Sequence, residues 1–535
     1  MKKELKIKAD CRGMLNSEII ETILDNRGIE DIEGFLNPTE DDLLPLDSFY
    51  KIDEAAKIVI DGLKNNSKFL IWADVDVDGC SSSAIMMRYL RDIGAECDWG
   101  INDGKAHGTS DKLFEKINEY DPNILIVVDS LDANIDNYKL IKDKGIKIII
   151  LDHHDVRDNI PYDDYVTLVS SNRKYGNPDL SGAGVCFKFC LYLDTLIGTM
   201  EADKYVDLAC TGILADVSDV SKKSMENRYI VKLGLQNLTN PAIKKIVGGF
   251  EFNSTSVLYS ISPLVNAANR LNKNECAAKL FLEDDNKKIN TYLRELKKCK
   301  EKQNEIIDEV MPDLIEQAED QLDKKMIVVI ADGKGASLSG LLATRLLDKS
   351  QRNVMVLKEN YGGYSGSCRA VNDFREICEE TGLGEFAGHS AAFGVVNIPY
   401  QNFDNFREVI EEKLKDIELT TEIDVDAELD VSDINRDFIQ EVKQLDFVSG
   451  QGFKPIKFAI TCDNYEATTM SKGKHLVIEP NDYVKFIKWN AGNDVDEYDD
   501  YAMLGDELTF VGTLDEGYLG RNYSMRLICD DIIVD

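Results

Sequence analysis

The stretch KFLIWADVDVDG (68–79) decides the fold, because an apolar run ends there in alternating aspartates and a glycine. Two further runs, NILIVVD (123–129) and IKIIILD (146–152), have the same form and are separated by polar segments of helical length. Continuous apolar strands that alternate with helices are typical of a parallel sheet covered on both faces. The sequence therefore predicts an α/β fold built on a parallel sheet.

Acidic or imidazole side chains end all three strands: Asp74, Asp76 and Asp78, then Asp129, then Asp152, His153 and His154. The carboxyl ends of parallel strands share one edge of a sheet, so we expect these side chains to lie together. Carboxylates crowded in this way repel one another unless a cation joins them. Carboxylates with imidazole suit manganese, whereas calcium prefers oxygen alone. Asp216, in GILADVSDV, is a candidate further donor, with Asp219 as its competitor.

A second interpretation applies to each aspartate taken separately. Aspartate at the end of a strand is often the N-cap of the next helix. Three successive strands that end in this way are harder to explain by capping alone. His153 and His154 are also two of only five histidines, and neighbouring residues at a strand end point in different directions. One imidazole can therefore bind metal while the other faces substrate.

Composition limits the classes of protein that fit. The chain has 535 residues and a net charge of −35, from 62 basic and 97 acidic residues. This balance argues against a protein that coats nucleic acid non-specifically, because neutralising phosphates requires Lys and Arg. A nuclease with a local basic groove remains compatible with it.

The twelve cysteines include no C-x-x-C pair, which indicates reduced thiols in a cytoplasmic protein rather than a zinc ribbon or a disulfide framework. No apolar stretch reaches the length of a membrane helix, so no membrane association is expected. The basic N-terminus lacks the apolar segment of a secretory signal.

Five segments are predicted along the chain: an N-terminal helical segment (1–60), a catalytic α/β domain (61–285), a connecting helix (286–322), a second α/β domain (323–420) and a small antiparallel β domain (421–535). The connecting helix is rich in lysine, which favours a solvated face over a stripe that faces nucleic acid. In the last segment we expect no helix after residue 445 and an acidic loop at 494–500.

These motifs, read in order, resemble a known family. DVDVDG, the isolated Asp129 and the literal DHH at 152–154 resemble the motifs of the DHH phosphoesterase superfamily. SPLVNAANRL (262–271) resembles a segment of RecJ-like exonucleases, and GASLSGLLATRL (335–346), GSCRA (366–370) and AGHSAAFG (387–394) resemble the companion DHHA1 domain. The last segment resembles the OB-type domain of the same proteins.

The resemblance implies a ligand set for two manganese ions, with magnesium as a substitute: Asp76, Asp78, Asp129, His153 and Asp216, with Asp74 as a ligand or a close neighbour. Asp129 would bridge the ions, and Asp152 would orient an imidazole. His154 would contact the scissile phosphate. The implied reaction is two-metal hydrolysis of a phosphodiester.

The resemblance also implies residues that hold the substrate: Arg270, Ser337, Gly366, Ser367, Arg369, Gly388 and His389. Arginine offers paired donors to a phosphate, so Arg270 could clamp one near the reacting centre; its alternative is a structural salt bridge. The small residues would let phosphate approach backbone N–H groups. For Ser337 the alternative is simple helix entry as an N-cap.

Some positions depart from the family pattern. KAHGT (105–109) stands where a Gly-Tyr-Gly segment is usual, so His107 could contact substrate there. Asp129 is followed by Ser-Leu where Cys-Gly is common, and the motif at 387–389 is Ala-Gly-His in place of Gly-Gly-His. None of these changes removes an implied metal ligand.

The implied function is manganese-dependent 5′ to 3′ digestion of single-stranded DNA, in DNA repair and recombination, by a monomer. One alternative is a DHH phosphodiesterase for short oligonucleotides or cyclic dinucleotides. Another is a non-catalytic replication or repair scaffold. The C-terminal segment would guide the single strand, but its 25 acidic and 10 basic residues also fit a protein partner.

Overall fold

A computed structural model describes residues 2–104, 108–371, 373–417, 419–519 and 522–534. Its N-terminal segment contains one strand and three helices: β1 (Lys2–Ile7), α1 (Asn16–Asn26), α2 (Ile32–Leu36) and α3 (Ile52–Lys64). The predicted N-terminal helical segment contains these helices, but its first residues form the strand β1, which was not predicted. That strand pairs in parallel with a strand that begins at Thr420, a partner more than 400 residues away that local sequence does not reveal.

The first α/β unit alternates strands and helices and then becomes helical: β2 (Lys68–Ala73), α4 (Val77–Asp92), β3 (Glu96–Ile101), α5 (Asp111–Tyr120), β4 (Ile124–Val128), α6 (Ile135–Asp143), β5 (Lys147–Asp152), β6 (Thr167–Ser170), α7 (Gly182–Ile197), α8 (Val206–Ala215), α9 (Met225–Gln236), α10 (Pro241–Val247), α11 (Ser254–Ser256), α12 (Ser262–Arg270) and α13 (Asn274–Leu282). Its five strands lie in the order β3-β2-β4-β5-β6, and every pairing is parallel. The predicted parallel sheet is confirmed.

The register of this sheet explains where its polar strand ends meet. Ala73 pairs with Val128, and Val128 pairs with Leu151. The next residue on each strand is an aspartate, so three carboxylates leave the sheet side by side at one edge. Apolar residues from both faces bury β2, β4 and β5 almost completely, whereas the edge strand β3 is partly exposed.

A single helix, α14 (Asn286–Glu319), leads to the second α/β unit. That unit comprises β7 (Met326–Ile330), α15 (Ser339–Ser350), β8 (Asn353–Asn360), β9 (Gly363–Arg369), α16 (Arg375–Glu379), β10 (Glu385–Gly388), β11 (Ala392–Pro399) and α17 (Phe403–Leu414). Its strands lie in the order β10-β11-β9-β8-β7, with only β7 and β8 parallel.

The remaining elements form the C-terminal domain: β12 (Thr420–Val425), β13 (Ala427–Leu429), α18 (Arg436–Leu445), β14 (Phe458–Cys462), β15 (Glu466–Met470), β16 (His475–Glu479), β17 (Val484–Lys488), α19 (Val495–Leu504), β18 (Leu508–Leu519) and β19 (Asn522–Val534). Seven strands, in the order β13-β14-β18-β19-β17-β16-β15, form a mostly antiparallel sheet with two parallel pairings. β12 lies outside this sheet and pairs with β1.

One helix in this domain, α19, was not predicted from the sequence. The predicted acidic loop at 494–500 and the absence of helices after residue 445 are wrong, because α19 occupies this stretch. Val495, Tyr498, Tyr501 and Ala502 pack against the core of the domain. This helical spacing places the aspartates on the outer face, and the high acidic content obscures the pattern in the sequence.

The N-terminal segment shares its core with the C-terminal domain. Ile19, Ile23 and Phe35 belong to the same buried cluster as Phe438 and Phe453. The rings of Phe35 and Phe453 lie 4.9 Å apart. The first helices of the chain therefore pack on its C-terminal domain. Among the described residues, no helix combines the length and the apolar surface needed to cross a membrane.

Arg228, on α9, is a buried cation where three parts of the chain meet. Its Nε donates to Phe35 O at 2.7 Å, and its Nη1 donates to Val220 O at 3.2 Å and to Val448 O at 2.8 Å. The guanidinium also lies 3.6 Å from the ring centre of Phe35. Burial lowers its pKa to about 9. Because this buried charge is held by carbonyl groups and an aromatic ring from different parts of the chain, the packing of these three parts is interdependent.

Arg228→Met should destabilise the protein without disturbing the surface. Three buried carbonyls lose their donor, which we expect to lower the free energy of unfolding by about 2–4 kcal/mol. Thermal and urea unfolding would measure this loss. Arg91→Met, at an exposed arginine on α4, is the matched control and should change stability by less than about 0.5 kcal/mol. Equal stability of the two variants would contradict the interpretation.

Candidate metal centre

The turn after β2 brings the first aspartates to the sheet edge. Asp76 caps α4, and its Oδ1 accepts from Gly79 N at 2.9 Å. A Cβ on Gly79 would lie 2.4 Å from Asp74 O, so only glycine fits this turn. Asp76 is therefore an N-cap and is also grouped with Asp74 and Asp129 at metal-ligand spacing. Both interpretations, helix capping and metal binding, are therefore compatible at Asp76.

Asp78 is held by the start of a different helix, α7. Its carboxylate accepts from Ser181 Oγ at 3.0 Å, from Gly182 N at 2.7 Å and from Ala183 N at 3.0 Å. A Cβ on Gly212 would lie 2.2 Å from Asp78 Oδ1. The N-terminal amides of a helix stabilise a negative charge, so α7 fixes this carboxylate in a buried position.

Asp129 follows β4 in a left-handed backbone conformation, with φ of 55°. Such a conformation is costly for most residues, and strain of this kind concentrates at functional sites. The Asp129 side chain is 1% exposed, and a Cβ on Gly182 would lie 2.7 Å from it. Burial, together with the carboxylates of Asp78, Asp76 and Asp74, raises the pKa of Asp129 well above its usual value.

His153 lies between the carboxylates. Its Nε2 is 3.1 Å from Asp129 Oδ1 and 3.9 Å from Asp78 Oδ2, and its Nδ1 is 3.7 Å from Asp216 Oδ2. Asp216 ends α8, and burial and the neighbouring Asp78 raise its pKa to about 6. His153 thus connects the sheet edge to the loop after α8.

His154 points to a different partner. Its Nδ1 lies 2.9 Å from Asp152 Oδ1, and its backbone N–H donates to Asp152 Oδ2 at 3.0 Å. This hydrogen bond with Asp152 raises the pKa of His154 to about 9. Asp152 is fully buried and orients the imidazole of His154. About half of the His154 side chain is exposed, so it can meet substrate.

Three groups of side chains bring their ligand atoms within 4.8 Å of one another: Asp74, Asp76 and Asp129; Asp78, His153 and Asp216; and Asp129, His153 and His154. Asp129 and His153 each belong to two groups. The donors are carboxylate oxygens and imidazole nitrogens, a set that fits manganese or magnesium. Asp129 Oδ1 is buried and accepts no hydrogen bond from the described residues, which suits an oxygen that meets a cation. The residues present therefore fit divalent metal.

Cations from both α/β units gather near one another. Arg270, at the end of α12, has a pKa lowered by burial and by nearby Arg369 on β9. Lys300, on α14, has a pKa lowered by burial and by the charges of Arg270 and Arg345. Within the part of the chain that the structure describes, no carboxylate lies within 4.0 Å of Arg270, Lys300 or Arg369. Arg270 instead donates to Gln303 Oε1 at 3.1 Å.

The serines and glycines expected at the substrate take different positions. Ser367 Oγ lies 2.9 Å from Ser339 Oγ at the start of α15, and a Cβ on Gly340 would lie 3.1 Å from Arg369 Nη2. These residues form one cluster at the start of a helix. Ser337 is exposed in the 3₁₀ turn before α15 and donates to Lys334 O at 3.3 Å, whereas Ser339 contacts Ser367 in the cluster.

The other expected substrate residues lie on the same sheet. Gly366 packs against β8, and a Cβ there would lie 2.1 Å from Val356 O, so sheet packing alone requires a glycine. Gly388 has φ of 124°, and its carbonyl accepts from Arg375. His389 is exposed. His107 lies outside the described residues.

The chain is similar in sequence to several known proteins. Residues 68–213 match the model of the DHH family, N-terminal domain. The chain is 29% identical over 467 residues to YorK, an SPbeta prophage-derived protein of Bacillus subtilis (strain 168) named a candidate single-strand DNA-specific exonuclease, with 80% of each chain covered. It is 27% identical over 468 residues to the single-stranded-DNA-specific exonuclease RecJ of the same organism, covering 82% of this chain and 58% of that protein.

The fold agrees with these matches. The structure of RecJ from Thermus thermophilus in complex with Mn²⁺ superposes with a TM-score of 0.76, at 21% identity, over 100% of this chain and 80% of that one. Residues 68–213 therefore match a DHH-type domain, and the chain is similar over most of its length to RecJ exonucleases. The resemblance drawn from the motifs is confirmed, as is the mixed α/β fold class.

Sequence reasoning missed several residues of this candidate centre. Ser181 and Gly182 hold Asp78 through a hydroxyl and a backbone amide, and Gly212 leaves room for it. The available signal was LSGAG (180–184), a serine followed by small residues at the start of an apolar helix. That pattern predicts a helix N-terminus, but it does not say which carboxylate the helix receives.

Asp129→Asn should stabilise the metal-free protein. It removes one charge from a buried group of like charges, and asparagine tolerates the left-handed backbone. We expect a rise in Tm of at least about 2 °C, since 1 kcal/mol corresponds to roughly 2–4 °C in a unit of this size. Added Mn²⁺ should raise the Tm of the original protein and leave that of the variant nearly unchanged.

Asp143→Asn, at an exposed aspartate ending α6, is the matched control and should behave like the original protein with and without Mn²⁺. Differential scanning fluorimetry in EDTA and in Mn²⁺ provides both readings. A lower Tm for metal-free Asp129→Asn would show that the carboxylate is stabilised by contacts within the protein rather than by a cation.

Proposed function

We propose that this chain is a metal-dependent exonuclease that digests single-stranded DNA in the 5′ to 3′ direction, with two Mn²⁺ ions at the sheet edge. The observation that carries the proposal is the linked set of ligand groups that share Asp129 and His153. The RecJ-like fold and the named activities of the relatives support it. The direction comes from the resemblance of the motifs to RecJ-like exonucleases, and blocked substrates test it directly.

The ligand groups divide between two cation positions. Asp74, Asp76 and Asp129 would hold one ion, and Asp78, His153 and Asp216 would hold the other, with Asp129 between them. Two such ions, when bound, supply Lewis-acid activation of water and of the phosphoryl group. Two aspartates placed by helix N-termini, Asp76 at α4 and Asp78 at α7, keep the ligands rigid.

His154 is suited to the phosphate itself. Asp152 fixes its Nδ1, which leaves Nε2 available for a hydrogen bond to a phosphate oxygen or to the leaving oxygen. Because Asp152 is buried and aligned by two contacts with His154, the ring keeps one orientation. His154 would thus stabilise charge that develops on the phosphate during cleavage.

The cation cluster is suited to the rest of the strand. Arg270, Lys300 and Arg369 lack carboxylate partners among the described residues, although the chain carries 35 excess negative charges. Clustered cations without counter-charges bind a polyanion such as a phosphate backbone. Ser339 and Ser367, beside Arg369 at the start of α15, would add hydrogen-bond donors to a terminal phosphate. The twelve unpaired cysteines support a reducing compartment for this activity.

The test is digestion of an internally labelled single-stranded DNA oligonucleotide with Mn²⁺, Mg²⁺ or EDTA. We expect release of mononucleotides that requires metal, stops at a blocked 5′ end and is lost in Asp129→Ala by a factor of at least about 10³. Duplex DNA and a matched RNA test the substrate class. Cleavage of dinucleotides in preference to polynucleotides would replace the proposal with a small-substrate phosphodiesterase, and no cleavage of any substrate would overturn it.

Lys300→Gln should weaken binding of single-stranded DNA and reduce its salt dependence. The substitution removes one of the clustered cations, so we expect the slope of log K against log salt to fall by about 0.7. Fluorescence anisotropy with Ca²⁺ in place of Mn²⁺ would measure binding without cleavage. Lys298→Gln, two residues away on the exposed face of α14, removes the same charge and should change the slope little. Equal slopes for the two variants would contradict the role of Lys300.

A further inference from the structure

Asp216 differs from the other candidate ligands in the structural element that holds it. The other carboxylates lie at strand ends or accept from the first amides of a helix, whereas Asp216 is the C-cap residue directly after α8 and leads into a loop, residues 216–221. The next residue, Val217, is more than half exposed and has φ of 59°, a left-handed conformation that is costly for a β-branched side chain. Contacts farther along the loop must therefore hold Asp216 in place.

The far end of the loop, at residues 219–220, makes its contacts with the C-terminal domain. Val220 N donates to Gln451 O at 2.9 Å, and a parallel bridge joins Asp219 to Gln451. Val220 O accepts from Arg228 Nη1, and the same nitrogen donates to Val448 O. The N–H of Val220 is thus bonded to the segment at 448–451, and its carbonyl shares the donor Arg228 Nη1 with Val448 of that segment. Within its own unit, the near end of the loop is held by Ser218, whose Oγ donates to Asp216 Oδ2 at 3.2 Å and whose N–H donates to Ile213 O at 3.1 Å. Asn227 Nδ2 also donates to Asp219 O at 2.9 Å.

The C-terminal segment approaches the loop closely because it contains two glycines. Gly452 has φ of 77°, and a Cβ there would lie 2.2 Å from Asp219 Oδ2. A Cβ on Gly450 would lie 3.1 Å from Val220 Cγ2 and 3.6 Å from Leu214 Cδ2. Leu214 lies on α8, two residues before Asp216. Any side chain added at 450 or 452 would push on the loop that carries the ligand.

We propose that residues 449–453 of the C-terminal domain are a positioning element for Asp216, and that their docking sets the affinity for the cation held by Asp78, His153 and Asp216. The inference rests on the metal site of the proposed function. It assigns the C-terminal domain a role at the metal centre that does not depend on its own contact with DNA. Groups that orient a metal ligand typically change metal affinity by 10–100-fold when they are altered.

Gly452→Ala tests this inference against Gly473→Ala. Both glycines belong to the C-terminal domain and have similar backbone angles, with φ of 77° and 82°. A Cβ on Gly473 would meet nothing within 4 Å. The control variant therefore has similar backbone strain but no steric contact with Asp219. Mn²⁺ binding is measured on the full chain by calorimetry and by electron paramagnetic resonance of free Mn²⁺.

We expect Gly452→Ala to weaken one of two Mn²⁺ sites by at least about tenfold and to leave the other unchanged, whereas Gly473→Ala binds both ions as the original chain does. The Mn²⁺ concentration for half-maximal nuclease rate should rise in parallel, with the rate recovering at saturating Mn²⁺. Asp216→Asn gives the upper limit of the loss. A loss that saturating Mn²⁺ does not reverse would show a general structural defect and would overturn the inference.

The two proposals fail in different ways. If the original chain binds no Mn²⁺, the metal site of the proposed function is wrong. If the original chain binds Mn²⁺ and Gly452→Ala binds it equally well, only the positioning inference is overturned. Should Gly452→Ala fail to fold, Gly450→Ala, whose Cβ has a looser contact, should show a smaller loss at the same site, and unchanged binding in that variant would overturn the inference.

Discussion

Electrostatic repulsion at one edge of a parallel sheet is the constraint on which the rest of the structure depends. Asp74, Asp78 and Asp129 are each 1% exposed, and Asp76 lies beside them. Charges so placed lose their hydration and oppose one another, which disfavours folding unless something compensates. The protein compensates in two ways: helix N-terminal amides meet two of the carboxylates, and the remaining oxygen atoms converge at spacings that suit a cation.

The compensation requires backbone to approach carboxylate closely, which explains where small residues stand. Gly182 and Gly212 lie where a Cβ would meet the side chains of Asp129 and Asp78 at under 3 Å, and a Cβ on Gly79 would meet the main-chain carbonyl of Asp74 at 2.4 Å. Larger residues would displace the carboxylates from the sheet edge and with them the geometry of the ligand groups. The packing around the centre therefore serves the chemistry rather than the stability of the domain, a common division at functional sites.

The sequence predicted what is local and periodic. The three apolar strands with acidic ends could be found because parallel strands are apolar along their whole length, and their register then brings Asp74, Asp129 and Asp152 to one edge. Contacts through backbone atoms could not be found, because no side-chain pattern encodes them. Three contacts are of this kind: the hydrogen bonds from α7 to Asp78, the pairing of β1 with β12 and the hydrogen bond from Val220 to Gln451. The helix α19 was hidden for a different reason, since its acidic residues masked an apolar face.

The distribution of charge suggests how a strongly acidic chain can still handle a polyanion. An overall charge of −35 repels nucleic acid at long range, but salt screens that repulsion beyond about 10 Å at 0.1 M ionic strength. Under the proposed function, a strand within this distance would meet Arg270, Lys300 and Arg369, whose charges are not neutralised by carboxylates in the described parts of the chain. Such an arrangement disfavours binding elsewhere on the surface and favours it at the cluster. Acidity would then contribute to specificity in the proposed function, because a strand held away from the rest of the surface would be retained only where the cations and the metal centre act together.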